Sequence, residues 1–196
     1  MIIVFARAPV PGEAKTRLIP RLGAWHAAQL QLRLTLHALR IARAANCGPV
    51  QLHLARRHSR FRRARLQRGA DLGARMQHAF CRARGAILIG TDCPVLTARD
   101  LRRAARWLCG GYDAVLAPAE DGGYALIGLR KPIPDLFQGI DWGSERVYAQ
   151  TVKKLAGYRW RALRRVWDLD RPQDLERLRS LRFPLALRQG ARQLKR

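Results

Sequence analysis

Acidic side chains are scarce in this sequence: its 196 residues include 14 Asp and Glu against 38 Lys and Arg, a formal charge of +24. Lysine is rare within the basic set, since 33 of the cations are Arg and 5 are Lys. A field of that sign attracts nucleic acid, anionic lipid or phosphorylated small molecules, so charge alone selects no partner. The Arg residues are spread over every expected helix. The densest run, Arg56 to Arg68, contains one Phe, Tyr or Trp, namely Phe61. It reads first as a solvated basic surface, with a nucleic-acid interface as the lesser alternative.

Cysteine is also sparse. Cys47, Cys81, Cys93 and Cys109 stand far apart, with no C-x-x-C pair and no Cys/His zinc spacing. That excludes a disulfide framework and points to reduced thiols, most of them core residues apart from Cys93 beside Asp92. The five His residues show no ligand or triad spacing, so surface or hydrogen-bonded histidines are the expectation. No apolar run approaches the roughly eighteen residues of a membrane span. The first strand-like run starts at once, without the charged and apolar pattern of a signal peptide, so a cytoplasmic protein without a membrane span is expected.

What is present is a regular alternation. Ile2 to Ala6 is a short apolar run of the kind covered by helices on both faces. Ala24 to Ala45 has helical spacing through Leu30, Leu34, Ala38 and Ile41. Val50 to Ala55 alternates as a strand, the Arg run is a short helix or loop, and Leu72 to Arg84 is helical again. Ala86 to Gly90 reads as a strand, followed by a capping box of Thr97 and Asp100 for a helix to Cys109. Asp113 to Ala117 and Tyr124 to Leu129 are further strands, Ser144 to Ala156 a helix, and Tyr158 to Val166 a weak strand. A last helix starts at Pro172. This order predicts one α/β domain over 1–182, a three-layer αβα arrangement around a mostly parallel sheet, and a loose basic tail over 183–196. In such folds ligands bind outside the carboxyl ends of the strands.

Asp92 lies at such an end, where its backbone is anchored and its carboxylate faces the crevice; a hard cation there needs one or two carboxylates plus substrate phosphates. The loop from Arg7 through Pro11 and Gly12 to Leu18 follows the first strand, and Gly12, Lys15 and Arg17 suit phosphate binding. The spacing of a Walker loop is absent. Glu120, Asp121, Gly122, Gly123 and Tyr124 form either a binding loop or a hairpin turn. Asp168 and Asp170 precede the last helix as caps or ligands. Asp71 and Ser144 suit helix N-caps, and Trp142 is a possible stacking surface.

Taken in order, FARAPVPGEAKTRL (5–18), ADLGARM (70–76), IGTDCP (89–94), PAEDGGYALIGL (118–129) and DLDRPQDL (168–175) resemble a small bacterial family of GT-A-like transferases, the arsenosugar-biosynthesis or radical-SAM/selenodomain-associated glycosyltransferases. The resemblance implies a nucleotide-diphospho-sugar transferase fold and a divalent cation, Mg2+ or Mn2+, held by Asp92 and Asp170. It further implies a nucleotide bound by Ala6, Arg7, Pro11, Gly12, Lys15, Arg17, Asp71 and Asp92. The related molybdenum-cofactor and phospholactate guanylyltransferases place such a Lys and Arg on triphosphate. The expected partners are a nucleotide or nucleotide-sugar and a small-molecule acceptor, which Glu120, Asp121, Gly122, Gly123, Tyr124, Trp142 and Ser144 would bind. Glycosyl transfer is the leading expectation, with Lys15, Arg17 and Asp121 catalytic; nucleotidyl transfer and a basic nucleic-acid-binding module are the alternatives.

Overall fold

The computed structural model describes residues 1–81, 83 and 85–181, so the tail expected over 183–196 lies outside the described residues. Seven strands form one sheet: β1 (Ile2–Ala6), β2 (Val50–Leu54), β3 (Arg65–Leu66), β4 (Ala86–Ile89), β5 (Ala114–Pro118), β6 (Tyr124–Leu129) and β7 (Trp160–Ala162). Their order is β3-β2-β1-β4-β6-β5-β7. β1 pairs in parallel with β2 and β4, β2 with β3 and β5 with β7. Only β6 runs antiparallel to its neighbours, β4 and β5.

The continuous apolar strands are explained by cover on both faces. On one face Ile2 and Val4 of β1 and Ile87 and Ile89 of β4 pack with Ala38, Ile41 and Ala42 of α2 (Ala24–Ala45) and Leu101, Ala104 and Leu108 of α4 (Ala98–Cys109). On the other, Ile3, Phe5, Leu88, Leu116 and Ile127 meet Met76, Ala79 and Phe80 of α3 (Leu72–Cys81), with Leu155 just after α5 (Val147–Lys154). A β1 residue therefore serves one layer or the other according to its parity. Burying each large side chain contributes roughly 1.5–3 kcal/mol. A third cluster joins Leu18, Leu30, Leu34, Trp167, Leu169 and Leu178, which ties the first loop to α6 (Asp174–Ser180). Pro20 opens the short α1 (Ile19–Leu22) beside it.

The expected α/β architecture is observed, with local differences. The two-residue β3 within the Arg run has both residues exposed and so no apolar alternation to betray it. The helix expected from Ser144 begins at Val147, because Ser144 Oγ donates to Asp141 O in a turn, with Arg146 paired to the Asp141 carboxylate. The last helix starts at Asp174 and not Pro172, because Asp174 Oδ2 accepts from the backbone N–H groups of Asp170 and Arg171. The capping box of Thr97 and Asp100 is present, and Arg164 also reaches Asp100. The cysteine expectation is reversed: Cys81 and Cys109 end their helices in solvent, whereas Cys93 is buried under the β4 end. Burial, with Asp168 nearby, pushes the Cys93 thiol up to about 12.

Candidate active site

A crevice of about 1330 Å3 opens at the carboxyl ends of β1 and β4, bounded by the first loop, the β5–β6 connection and the segment before α6. That is larger than the roughly 300–1,000 Å3 of a single small-ligand pocket, so it has room for more than one small molecule. β4 ends at Ile89, and two residues later the backbone leaves Thr91 buried and Asp92 half-exposed. Leu169 N donates to Asp92 O at 2.7 Å, which binds the late segment to this strand end.

The first loop folds back into the crevice. Val10 O accepts from Glu13 N and Ala14 N, each at 3.1 Å, and Lys15 takes a left-handed backbone (φ 51) before the 3-10 turn Thr16–Leu18. This reversal drives the Lys15 side chain inward until it is 3% exposed, against 47% for its partner Asp92. The Lys15 ammonium lies 2.9 Å from Asp92 Oδ1 and donates to Leu169 O at 2.5 Å. Arg17, in solvent, forms an ion pair with Asp170. The two cations and the two carboxylates expected for nucleotide and metal are thus paired with each other across the crevice.

A third carboxylate joins them. Asp168 lines the same space, and burial pushes its carboxyl up to about 7; Asp121 and Asp92 add to that shift and Lys15 opposes it. The resident cation amid these acids is the Lys15 ammonium, so positive charge is what this point demands. The anionic groups lining the crevice are carboxylates, which suit a hard divalent ion such as Mg2+ or Mn2+. Among the described residues no three His, Cys, Asp or Glu side chains gather tightly enough to hold a metal by themselves. Asp92 and Asp170 could hold such an ion only with phosphate or water oxygens completing its shell.

The connection of β5 to β6 is a hairpin, closed by Ala119 N to Gly123 O at 3.0 Å and Gly122 N to Ala119 O at 3.3 Å, and it also lines the crevice. Asp121 Oδ1 accepts from Gly123 N at 2.9 Å. Glu120 is held by Arg177 of α6 in a bidentate pair of 2.8 and 3.0 Å, with that guanidinium 4.5 Å from the centroid of the Trp167 ring. The Arg177 hydrogen bonds keep the Glu120 carboxyl below its ordinary range. Trp142 faces the crevice but is fixed from behind by Phe137, with ring centroids 6.4 Å apart, and by Gly73 of α3. The Tyr124 hydroxyl is buried beside Thr151, and burial pushes its pKa up.

Of the residues singled out in the sequence, Arg7, Lys15, Arg17, Asp92, Glu120, Asp121, Gly122, Tyr124, Trp142, Ser144 and Asp170 line the crevice. Ala6, Pro11, Gly12, Asp71 and Gly123 do not: the Ala6 carbonyl is taken by Ala55 N and Gln67 Nε2, and Asp71 Oδ1 caps α3 through Ala74 N at 2.7 Å. Gln31 and Asp168 also line the crevice; no linear motif marks Gln31, and Asp168 reads equally as a cap or a ligand. The available signal for Gln31 was a polar residue sharing the apolar stripe of a long helix with Ala27, Leu34 and Ala38.

A mostly parallel sheet with this carboxylate and cation crevice at its strand ends is the nucleotide-diphospho-sugar transferase and nucleotidyltransferase type of fold. Among solved structures the chain resembles a candidate nucleotide-diphospho-sugar transferase from Desulfovibrio desulfuricans G20, at 31% identity over 97% of this chain and 90% of that one, with a TM-score of 0.83. It shares its fold with a nucleotidyl transferase from Methanothermobacter (16% identity, 92% and 97% covered, TM-score 0.62). It likewise shares it with a CMP-2-keto-3-deoxy-manno-octonic acid synthetase complexed with CTP (15%, 93% and 97%, TM-score 0.51). No protein of curated function matches the sequence. The chain belongs to the family described as a conserved, uncharacterized bacterial protein (DUF2064), whose model matches residues 26–144.

Proposed function

We propose that this protein is a metal-dependent glycosyltransferase of the arsenosugar or selenodomain-associated kind, moving a sugar from a nucleoside-diphosphate sugar to a hydroxyl of a small-molecule acceptor. The observation that carries the reading is the double pairing of Lys15 with Asp92 and Arg17 with Asp170 inside one roomy crevice. Asp92 and Asp170 would hold Mg2+ or Mn2+, which would supply positive charge beside a departing diphosphate. Arg17 and Arg7 bind phosphate oxygens as the pair with Asp170 opens. Asp121 orients the acceptor and takes its hydroxyl proton as the acceptor oxygen bonds to the anomeric carbon and the bond from that carbon to the diphosphate oxygen breaks. Trp142 offers its half-exposed ring to a sugar face.

The cation-rich first loop supports a second reading, nucleotidyl transfer, in which a phosphorylated acceptor attacks the α-phosphate of a nucleoside triphosphate. The two part by product: a nucleoside diphosphate in the first case, pyrophosphate in the second. The deciding experiment is a thermal-shift screen of nucleotide sugars and nucleoside triphosphates with Mg2+ or Mn2+, on wild type and Asp92→Ala. Stabilisation by at least one ligand that needs the metal and vanishes in Asp92→Ala is expected. Equal stabilisation of both proteins removes Asp92 from the metal site.

A further inference from the structure

Behind Asp92 lies a buried hydrogen-bond chain with a fixed direction. Thr35 Oγ1, fully buried in α2, donates to the Gln31 carbonyl at 2.8 Å. Its single hydrogen is then used, and toward the Gln31 side chain it can only accept. That sets the carboxamide nitrogen of Gln31 toward Thr35 Oγ1, at 3.4 Å. The second N–H of the same nitrogen reaches Thr91 Oγ1 at 3.0 Å. Thr91 therefore accepts from Gln31, and its own hydrogen turns to Asp92 Oδ1 at 3.4 Å. Lys15 Nζ approaches that same Oδ1. Among the described residues no donor bonds Oδ2, and Asp92 lines the crevice, so Oδ2 is the oxygen it has open to a ligand there.

We infer that Gln31 is a positioning residue: through Thr91 it holds Asp92 with Oδ1 turned to the protein and Oδ2 turned to the metal. The inference rests on the reading of Asp92 as a metal ligand. Gln31 is 1% exposed. A carboxamide there costs desolvation that a leucine of similar size avoids, so packing alone does not account for it. Residues that orient a metal ligand from behind typically change metal affinity 10–100-fold when replaced.

The test measures Mn2+ affinity in the presence of pyrophosphate, GTP or UDP, together with thermal stability, for wild type, Gln31→Leu, Thr91→Val and the double variant. Each single variant is expected to bind Mn2+ roughly 10–100-fold more weakly. The double variant should lose no more than the worse single, because both break one chain. A purely structural Gln31 would lower the melting temperature and leave Mn2+ affinity intact, and that result, or additive losses in the double variant, overturns the inference. Should Gln31→Leu not fold, Thr91→Val alone must show the weakening. Absence of Mn2+ binding in wild type would overturn the reading of the crevice itself, a different outcome from wild-type binding that Gln31→Leu preserves.

Discussion

Lys15 concentrates the opposing demands on this crevice. Its ammonium is almost fully buried and tolerable there because Asp92 and the Leu169 carbonyl both accept from it. An unpaired buried charge would be far costlier. Replacing it by Met keeps the stem but strands the carbonyl and leaves Asp92 among acids, so Lys15→Met should cost about 1–3 kcal/mol of stability in the empty protein. The same change frees Asp92 from its internal cation. Mn2+ added without nucleotide should then stabilise Lys15→Met more than it stabilises wild type, measured as the shift in melting temperature; an equal or smaller shift would show that Lys15 does not compete with metal. Arg17, being exposed, contributes little to stability by comparison.

Among the elements, the β5–β6 hairpin depends for its shape on a segment later in the sequence. Gly122 has φ +86, and a Cβ there would lie 2.0 Å from the Glu145 carbonyl oxygen. The Gly122 carbonyl in turn accepts from Tyr148 N at 2.8 Å, so the turn carrying Asp121 is clamped against the start of α5. Gly122→Ala combines left-handed strain with a backbone collision and should destabilise by about 2 kcal/mol or more in chemical denaturation. Gly123→Ala is the control: a Cβ there would meet only the Asp121 carboxylate, at 3.2 Å. The two glycines look alike in sequence, and their difference arises from the approach of residues 145–148. The same holds for Glu120 and Asp121, adjacent carboxylates that only α6 tells apart, by bringing Arg177 onto one of them.

At the scale of the whole molecule, acid stability should depend on a histidine that does not itself line the crevice. His53 on β2 is buried, stacked on Phe5 with ring centroids 5.5 Å apart, and burial, followed by the charges of Arg65 and His78, lowers its pKa to about 4. In the unfolded chain the group titrates near 6.5. Between those values the unfolded state binds the extra proton, so stability is full above about pH 6.5 and falls as pH drops toward 4. The loss is on the order of 3 kcal/mol at full effect. Urea denaturation of wild type and His53→Gln at pH 7 and pH 4.5 checks this: the variant should lose less on acidification, and an identical loss would assign the effect elsewhere.

The sequence by itself determined the alternation of strands and helices, because apolar period and length are local properties. It thereby determined the α/β class and the placing of Asp92 at a strand end; Ile2–Ala6, Ala24–Ala45 and Tyr124–Leu129 were legible to the residue. β3 was not, since two exposed residues carry no period. Tertiary structure alone decided the partners. It brought Lys15 to Asp92 and Arg17 to Asp170 across more than 70 and 150 residues, set the half-buried Asp168 among other acids, and ran a hydrogen-bond chain from Gln31 to Asp92. Charge pairing and desolvation depend on distances through space, which a linear pattern does not encode, whereas the burial that shapes each element repeats along the chain and can be read from it.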